Sequence, residues 1–128
     1  MPARLTLGFI GTGQMATALA QGFVRAGLVR PGQLWGSDPS AEARTRFARE
    51  TGARTVTRNR EILARTQTIV LAVKPDQVGA VLEEVHSAFT PQHLLISIAA
   101  GVPLSRLESG LPAGSRVVRV MPNTAALV

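Results

Sequence analysis

Short runs of β-branched and apolar residues alternate along this chain with stretches whose apolar positions recur every three or four residues. The first kind of run predicts strands and the second predicts amphipathic helices. Leu5–Ile10 reads as a first, largely buried strand, followed directly by Gly11-Thr12-Gly13. Met15, Leu19 and Phe23 then repeat at helical spacing, with Ala16 and Ala20 beside them, and Gly27 stops the helix. After a turn at Pro31-Gly32, Gln33–Ser37 reads as a second strand ending at Asp38. A helix over Ala41–Thr51 follows, with Ser40 as its N-cap and Gly52 as its stop. Thr55–Thr57 is a short third strand, and Asn59 is placed to cap a short helix over Arg60–Ala64. Thr68–Val73 is the clearest strand, with no polar alternation, so both of its faces are expected to be covered. Val78, Val81, Leu82, Val85 and Phe89 trace one face of the next helix, which Pro91 ends. Leu94–Ile98 is a fifth strand, Pro103–Ser109 a short helix and Arg116–Met121 a sixth strand, with a loop at Pro112 and Gly114 before it.

Strands alternating with helices predict an α/β fold: a doubly wound parallel sheet of about six strands with helices on both faces. We read residues 1–128 as one dinucleotide-binding domain of Rossmann type with strand order 3-2-1-4-5-6. That order lines up the C-terminal ends of all strands along one crevice. Those ends are Gly11–Gly13, Asp38, Thr57–Asn59, Ala72–Pro75, Ala99–Gly101 and Pro122–Thr124, and small and polar residues gather there.

The segment Gly11-Thr12-Gly13-Gln14-Met15-Ala16 has the form G-x-G-x-x-A. Its first glycine permits a tight turn, its second lets backbone approach a pyrophosphate, and the alanine keeps the helix close to the strand. The helix N-terminus then offers free N–H groups to phosphate. The pattern alone is weak, and its place after a strand and at the opening of a helix strengthens it. Asp38 lies 25 residues after Gly13, near the spacing at which an acid meets the ribose 2′-hydroxyl. It would favour NADH, whereas Arg44, Arg58 and Arg60 nearby would favour the 2′-phosphate of NADPH, and the sequence leaves the conflict open. The blander reading of Asp38 is a turn carboxylate in Asp-Pro-Ser. Lys74, the sole lysine, sits at the crevice, where it could steer a phosphate or a carboxylate or simply face solvent. Ala99-Ala100-Gly101 leaves room for a flat ring, or for tight helix–strand packing.

Composition narrows these options. The chain has 128 residues, no cysteine and two histidines, which excludes a disulfide scaffold, a cysteine nucleophile and a convincing zinc site. Both His86 and His93 read as surface residues. No apolar run reaches the length of a membrane span, and the N-terminus lacks the pattern of a signal peptide, so a soluble cytoplasmic protein is expected. The net charge of +6 comes from arginine, with seven arginines between Arg44 and Arg65. With aromatics at 4% and no stacking motif, this reads as a solvated surface or an attraction for phosphorylated small ligands rather than nucleic-acid binding. No Ser-His-Asp, paired-carboxylate or metal-ligand constellation emerges.

Four stretches together resemble a specific family. They are Gly8–Ala16 (GFIGTGQMA), Ala72-Val73-Lys74-Pro75, Ser97–Val102 (SIAAGV) and Val118–Thr124 (VRVMPNT). Their order and spacing resemble pyrroline-5-carboxylate reductase over essentially the whole chain. The resemblance implies reduction of the C=N bond of 1-pyrroline-5-carboxylate to L-proline, with hydride from NADPH or NADH. Carried over by residue, it implies cofactor contacts at Ile10, Gly11, Thr12, Gly13, Gln14, Met15, Asp38, Asn59, Ala72, Val73, Lys74, Pro75, Ile98, Ala99 and Ala100. Asn59 would meet the adenosine ribose or its phosphate. Met121, Pro122, Asn123 and Thr124 would lie beside the substrate. Family members that favour NADPH often carry a hydroxyl residue where this chain has Asp38. The family also has a second, helical domain that supplies the dimer interface and most substrate contacts, and that domain is absent from this chain. The expectation is therefore a cofactor domain that binds but does not turn over alone, with no catalytic residue assigned within it and a homo-oligomer formed through the absent domain. The competing expectations are another Rossmann reductase, such as a deazaflavin-linked NADP reductase, and a non-catalytic nucleotide-binding regulatory module.

Overall fold

A computed structural model describes residues 5–121. Six strands form one sheet: β1 (Leu7–Ile10), β2 (Leu34–Ser37), β3 (Arg54–Val56), β4 (Thr68–Leu71), β5 (Leu94–Ser97) and β6 (Arg116–Arg119). Every neighbouring pair is parallel, and the order is β3-β2-β1-β4-β5-β6, as the sequence predicts. Five helices connect them: α1 (Gln14–Arg25), α2 (Ala41–Thr51), α3 (Asn59–Arg65), α4 (Val78–Val85) and α5 (Leu104–Ser109). Single 3-10 turns occupy Pro31–Gln33, Pro75–Gln77 and His86–Ala88.

Alternation along the strands sorts the apolar side chains into two layers. Leu7, Phe9, Leu34 and Val70 pack with Ala16 and Ala20 of α1 and Phe47 of α2. Ile10, Ile69, Leu71 and Leu95 pack on the other face with Ile62 of α3, Val78, Val81, Leu82 and Val85 of α4, and Leu107 of α5. Phe9 and Phe47 meet edge-on at 5.7 Å between ring centroids, and both are fully buried. Two glycines allow the helices this close. A Cβ on Gly8 would lie 2.5 Å from Ile62 Cγ2, and one on Gly36 would lie 2.7 Å from both Phe47 Cε2 and Thr12 Cγ2.

The caps of α2 are those the sequence predicts. Ser40 Oγ accepts the Ala43 N–H at 3.1 Å, and Gly52 ends the helix in the left-handed region at φ 79°. Most strand ends are trimmed by one or two residues against expectation, and β3 is shifted by one residue, to Arg54–Val56 instead of Thr55–Thr57. β1 begins at Leu7, where its partners Leu34 and Thr68 begin, so Leu5 and Thr6 have no strand to pair with. β4 ends at Leu71 because the chain turns into the Pro75 segment after one further bond, from the Ala72 N–H to the Ile10 carbonyl at 2.8 Å.

Two expectations are corrected. Asn59 is the first residue of α3 rather than its cap, and Arg58 holds the N-cap position with no side-chain bond. His93 is buried rather than at the surface, at 6% exposure. Its Nδ1 accepts the Thr90 N–H at 2.9 Å, so Nε2 carries the proton and donates to the Leu63 carbonyl at 2.8 Å. Leu63 lies in the last turn of α3, where carbonyls lack intrahelical partners, and the imidazole satisfies one of them.

Candidate dinucleotide cleft

The C-terminal ends of β1, β2 and β4 open onto a cleft of about 670 Å³. Its floor is the turn after β1. Gly11 adopts φ 95°, which only glycine takes without strain, and its N–H donates to the Ser37 carbonyl at 2.9 Å. A Cβ there would lie 2.7 Å from the Ala72 carbonyl oxygen, so the backbone just past β4 presses directly on the turn. Gly13 differs. It is the N-cap of α1 at φ −75° and ψ −166°, a conformation open to any residue, and nothing lies within 4 Å of where its Cβ would be. No side chain caps this helix, so its first-turn N–H groups face the open space above Gly13.

Beside the turn, Asp38 braces the loop. Its Oδ2 accepts the Thr12 N–H at 3.0 Å and the Thr12 hydroxyl at 3.2 Å, and its Oδ1 accepts the Ser40 N–H at 2.9 Å. The last bond is the turn arrangement weighed as the blander reading, and it coexists with a position in the cleft wall. Arg44 Nη1 donates to the Asp38 carbonyl at 2.6 Å. A second chain of bonds crosses the wall. The Ser37 hydroxyl donates to Asn59 Oδ1 at 2.7 Å, and Asn59 Nδ2 donates to Glu84 Oε1 at 2.8 Å. This ties β2, α3 and α4 together at one end of the cleft.

The structure gathers Gly11, Gly13, Asp38, Asn59, Ala72, Val73 and Lys74 around this cleft. Lys74 is exposed, and Ala72 and Val73 are half-buried. The remaining expected contacts lie elsewhere. Ile10 and Thr12 are buried beneath the turn, with Ile10 in the core. Gln14 is exposed, and Met15 half-buried, on the first turn of α1, while Pro75 starts the 3-10 turn beyond Lys74. Ile98 packs against the layer of α1 and α2, Ala99 is buried, and Ala100 is exposed past the end of β5. Met121 is 60% exposed, and its sulfur lies 3.4 Å from Arg119 Nη2. Pro122, Asn123 and Thr124 lie outside the described residues.

Sequence reasoning did not name Ser37, Pro39, Ser40, Gln77, Ala80, Val81 or Glu84 as cleft lining. Gln77, Ala80, Val81 and Glu84 fall at i, i+3, i+4 and i+7, one stripe from the N-cap of α4 along the helix, which is the signal that could have found them. Among the described residues, no group of three His, Cys, Asp or Glu side chains could hold a metal ion, and no helix is long and apolar enough to cross a membrane.

A glycine turn between a parallel strand and an uncapped helix is a dinucleotide fingerprint in its full context. The family model described as NADP oxidoreductase, coenzyme F420-dependent, matches residues 6–101, from just before β1 to the turn after β5. The chain belongs to this family of NADP oxidoreductases. Within the family it is similar to pyrroline-5-carboxylate reductases, as its four motifs imply. It is 44% identical to the pyrroline-5-carboxylate reductase of Methanosarcina acetivorans over 95% of this chain and 45% of that protein. It is 41% identical to pyrroline-5-carboxylate reductase 3 of Rattus norvegicus over 95% of this chain and 44% of that protein. Among solved structures, the Plasmodium falciparum pyrroline carboxylate reductase with NADP bound superposes with a TM-score of 0.82 at 35% identity, over 96% of this chain and 44% of that one. The Coxiella burnetii pyrroline-5-carboxylate reductase gives a TM-score of 0.87 at 33% identity, over 94% of this chain and 45% of that one. The chain thus spans less than half the length of the relatives it matches.

Proposed function

We propose that this chain is the NAD(P)H-binding part of a pyrroline-5-carboxylate reductase. In this reading residues 1–128 form its dinucleotide-binding domain, and the cofactor lies across the turn from Gly11 to Gly13. The observation that carries the reading is the glycine at position 13. No left-handed backbone and no crowding neighbour calls for glycine there, so the space it leaves is free for a ligand. That space adjoins the uncapped N–H groups of α1, which suit a pyrophosphate.

When bound, the nicotinamide ring supplies hydride to the carbon of a C=N bond. The chain's own residues bind and orient. The α1 N-terminus holds phosphate, Asn59 and Asp38 meet the adenosine ribose, and Ala72 and Val73 leave room beside the ring. The resemblance adds Ile98, Ala99 and Ala100, at the end of β5 beyond the cleft lining, as ring contacts, and Lys74 at the mouth attracts phosphate or a substrate carboxylate. Ile10 and Thr12 support the turn from below, and Gln14, Met15 and Pro75 flank it. The resemblance assigns Met121 to Thr124 to the substrate side. No residue of the chain is assigned the proton transfer. The resemblance further carries 1-pyrroline-5-carboxylate as substrate, a place in proline biosynthesis, a cytoplasmic location and a homo-oligomeric whole enzyme.

The test is a calorimetric titration of the purified chain with NADPH and with NADH, followed by an assay for oxidation of the bound cofactor by 1-pyrroline-5-carboxylate. Saturable 1:1 binding of either dinucleotide supports the reading. A folded chain that binds neither overturns it. Turnover with the imine in a protein that joins this chain to a pyrroline-5-carboxylate reductase helical domain assigns the substrate, and absence of turnover in such a folded, cofactor-binding protein removes that assignment.

A further inference from the structure

Asn59 has its amide orientation fixed from both sides. Its Oδ1 accepts from the Ser37 hydroxyl, and one Nδ2 hydrogen goes to Glu84 Oε1. Reversing the amide would set Oδ1 against a carboxylate, which cannot donate. In this orientation Asn59 has a second Nδ2 hydrogen to offer, and the group that sets the orientation is a carboxylate on α4. Glu84 lines the same cleft as Asp38, so two carboxylates stand at its ribose end against one ammonium, Lys74, at its mouth. None of the three arginines that could favour a phosphate lines the cleft. Arg44 is engaged with the Asp38 carbonyl, and Arg58 and Arg60 are exposed at the start of α3.

We propose that Glu84 sets dinucleotide preference in this chain, orienting Asn59 toward a ribose hydroxyl and disfavouring a 2′-phosphate, so that the cleft selects NADH over NADPH. The inference rests on the reading of the cleft as a dinucleotide site. It runs against the NADP of the family's description and of the Plasmodium falciparum structure, and it does so through side chains of this chain alone. A 2′-phosphate adds roughly two negative charges near two carboxylates. Glu84 is exposed, so solvent screens the repulsion, and the expected preference is about tenfold rather than a thousandfold.

The experiment compares Kd for NADH and NADPH in the chain and in Glu84→Gln, at low and at moderate salt. Gln keeps an acceptor for Asn59 Nδ2 while removing the charge. The chain is expected to bind NADH about tenfold more tightly, and Glu84→Gln to tighten NADPH about fivefold while NADH changes less than about twofold. Moderate salt should narrow the preference more in the wild-type chain than in Glu84→Gln, a difference that a purely structural role for Glu84 would not produce. Equal or tighter binding of NADPH by the wild-type chain, or an equal shift of both cofactors in Glu84→Gln, overturns this inference and leaves the dinucleotide reading intact. Failure of the folded chain to bind either cofactor overturns that reading and this inference with it.

Discussion

Gly13→Asp separates a structural glycine from a ligand-binding one, because it should raise stability and abolish binding together. At φ −75° and ψ −166°, with no atom within 4 Å of the new Cβ, an aspartate fits without strain. At the N-cap its carboxylate would accept a first-turn N–H of α1 and sit at the positive end of the helix dipole. Capping over glycine contributes a few tenths of a kcal/mol, the dipole about 0.3–1, and the loss of glycine's freedom in the unfolded chain a further few tenths. The sum is about 1 kcal/mol, or a rise in Tm of about 3–5 °C for a chain of this size. The same carboxylate would occupy the donors and charge the space meant for a pyrophosphate. Losing one or two charge-assisted hydrogen bonds costs about 1.5–3 kcal/mol each, so affinity should fall by about two orders of magnitude or more. Thermal unfolding and calorimetric titration on the same preparations measure both effects. A fall in stability would show that Gly13 is held by packing, and unchanged affinity in a stabilised variant would refute the placing of phosphate at this helix.

Three further variants probe the frame around the cleft. Gly36→Ala should cost about 1–3 kcal/mol by urea unfolding, because its Cβ would press on the buried ring of Phe47 and on Thr12. His93→Ala should cost about 2–4 kcal/mol, since it opens a cavity and strips partners from the Leu63 carbonyl and the Thr90 N–H. It should leave cofactor Kd unchanged, because His93 precedes β5 at the sheet end away from the cleft. Ser37→Ala frees Asn59 Oδ1 and should weaken both dinucleotides alike, by about threefold to tenfold in Kd.

Elements and their order were legible because periodicity is a local property. The unbroken apolar run at Thr68–Leu71 marks the buried centre of the sheet, and the spacing of Val78, Val81, Leu82 and Val85 marks the buried face of α4. Gly11, Gly13 and Asp38 were legible as candidates because their chemistry follows from backbone demands at strand ends. What Asp38 bonds to was not, since Thr12 is 26 positions away and comes within reach only when β1 and β2 pair. Asn59 looked like a cap because asparagine before a helix usually is one. Ser37 and Glu84, from 22 and 25 positions away, hold its side chain instead. Glu84 itself sits on the polar side of an amphipathic helix and reads there as a solvated charge. His93 follows a proline in a loop, and its burial arises from a carbonyl at the end of α3 that needs a donor, 30 positions away.

The most direct test of the account is an amide ¹H–¹⁵N correlation spectrum of the labelled chain recorded through a titration with NADH. Binding across the glycine turn predicts saturable shifts concentrated at Gly11 to Ala16, Asp38, Asn59 and Ala72 to Lys74, with the N-terminal ends of the strands, His93 included, unmoved. Saturable shifts confined to the arginine-bearing outer face of α2, at Arg46 and Arg49, or no shifts at millimolar NADH, would contradict it.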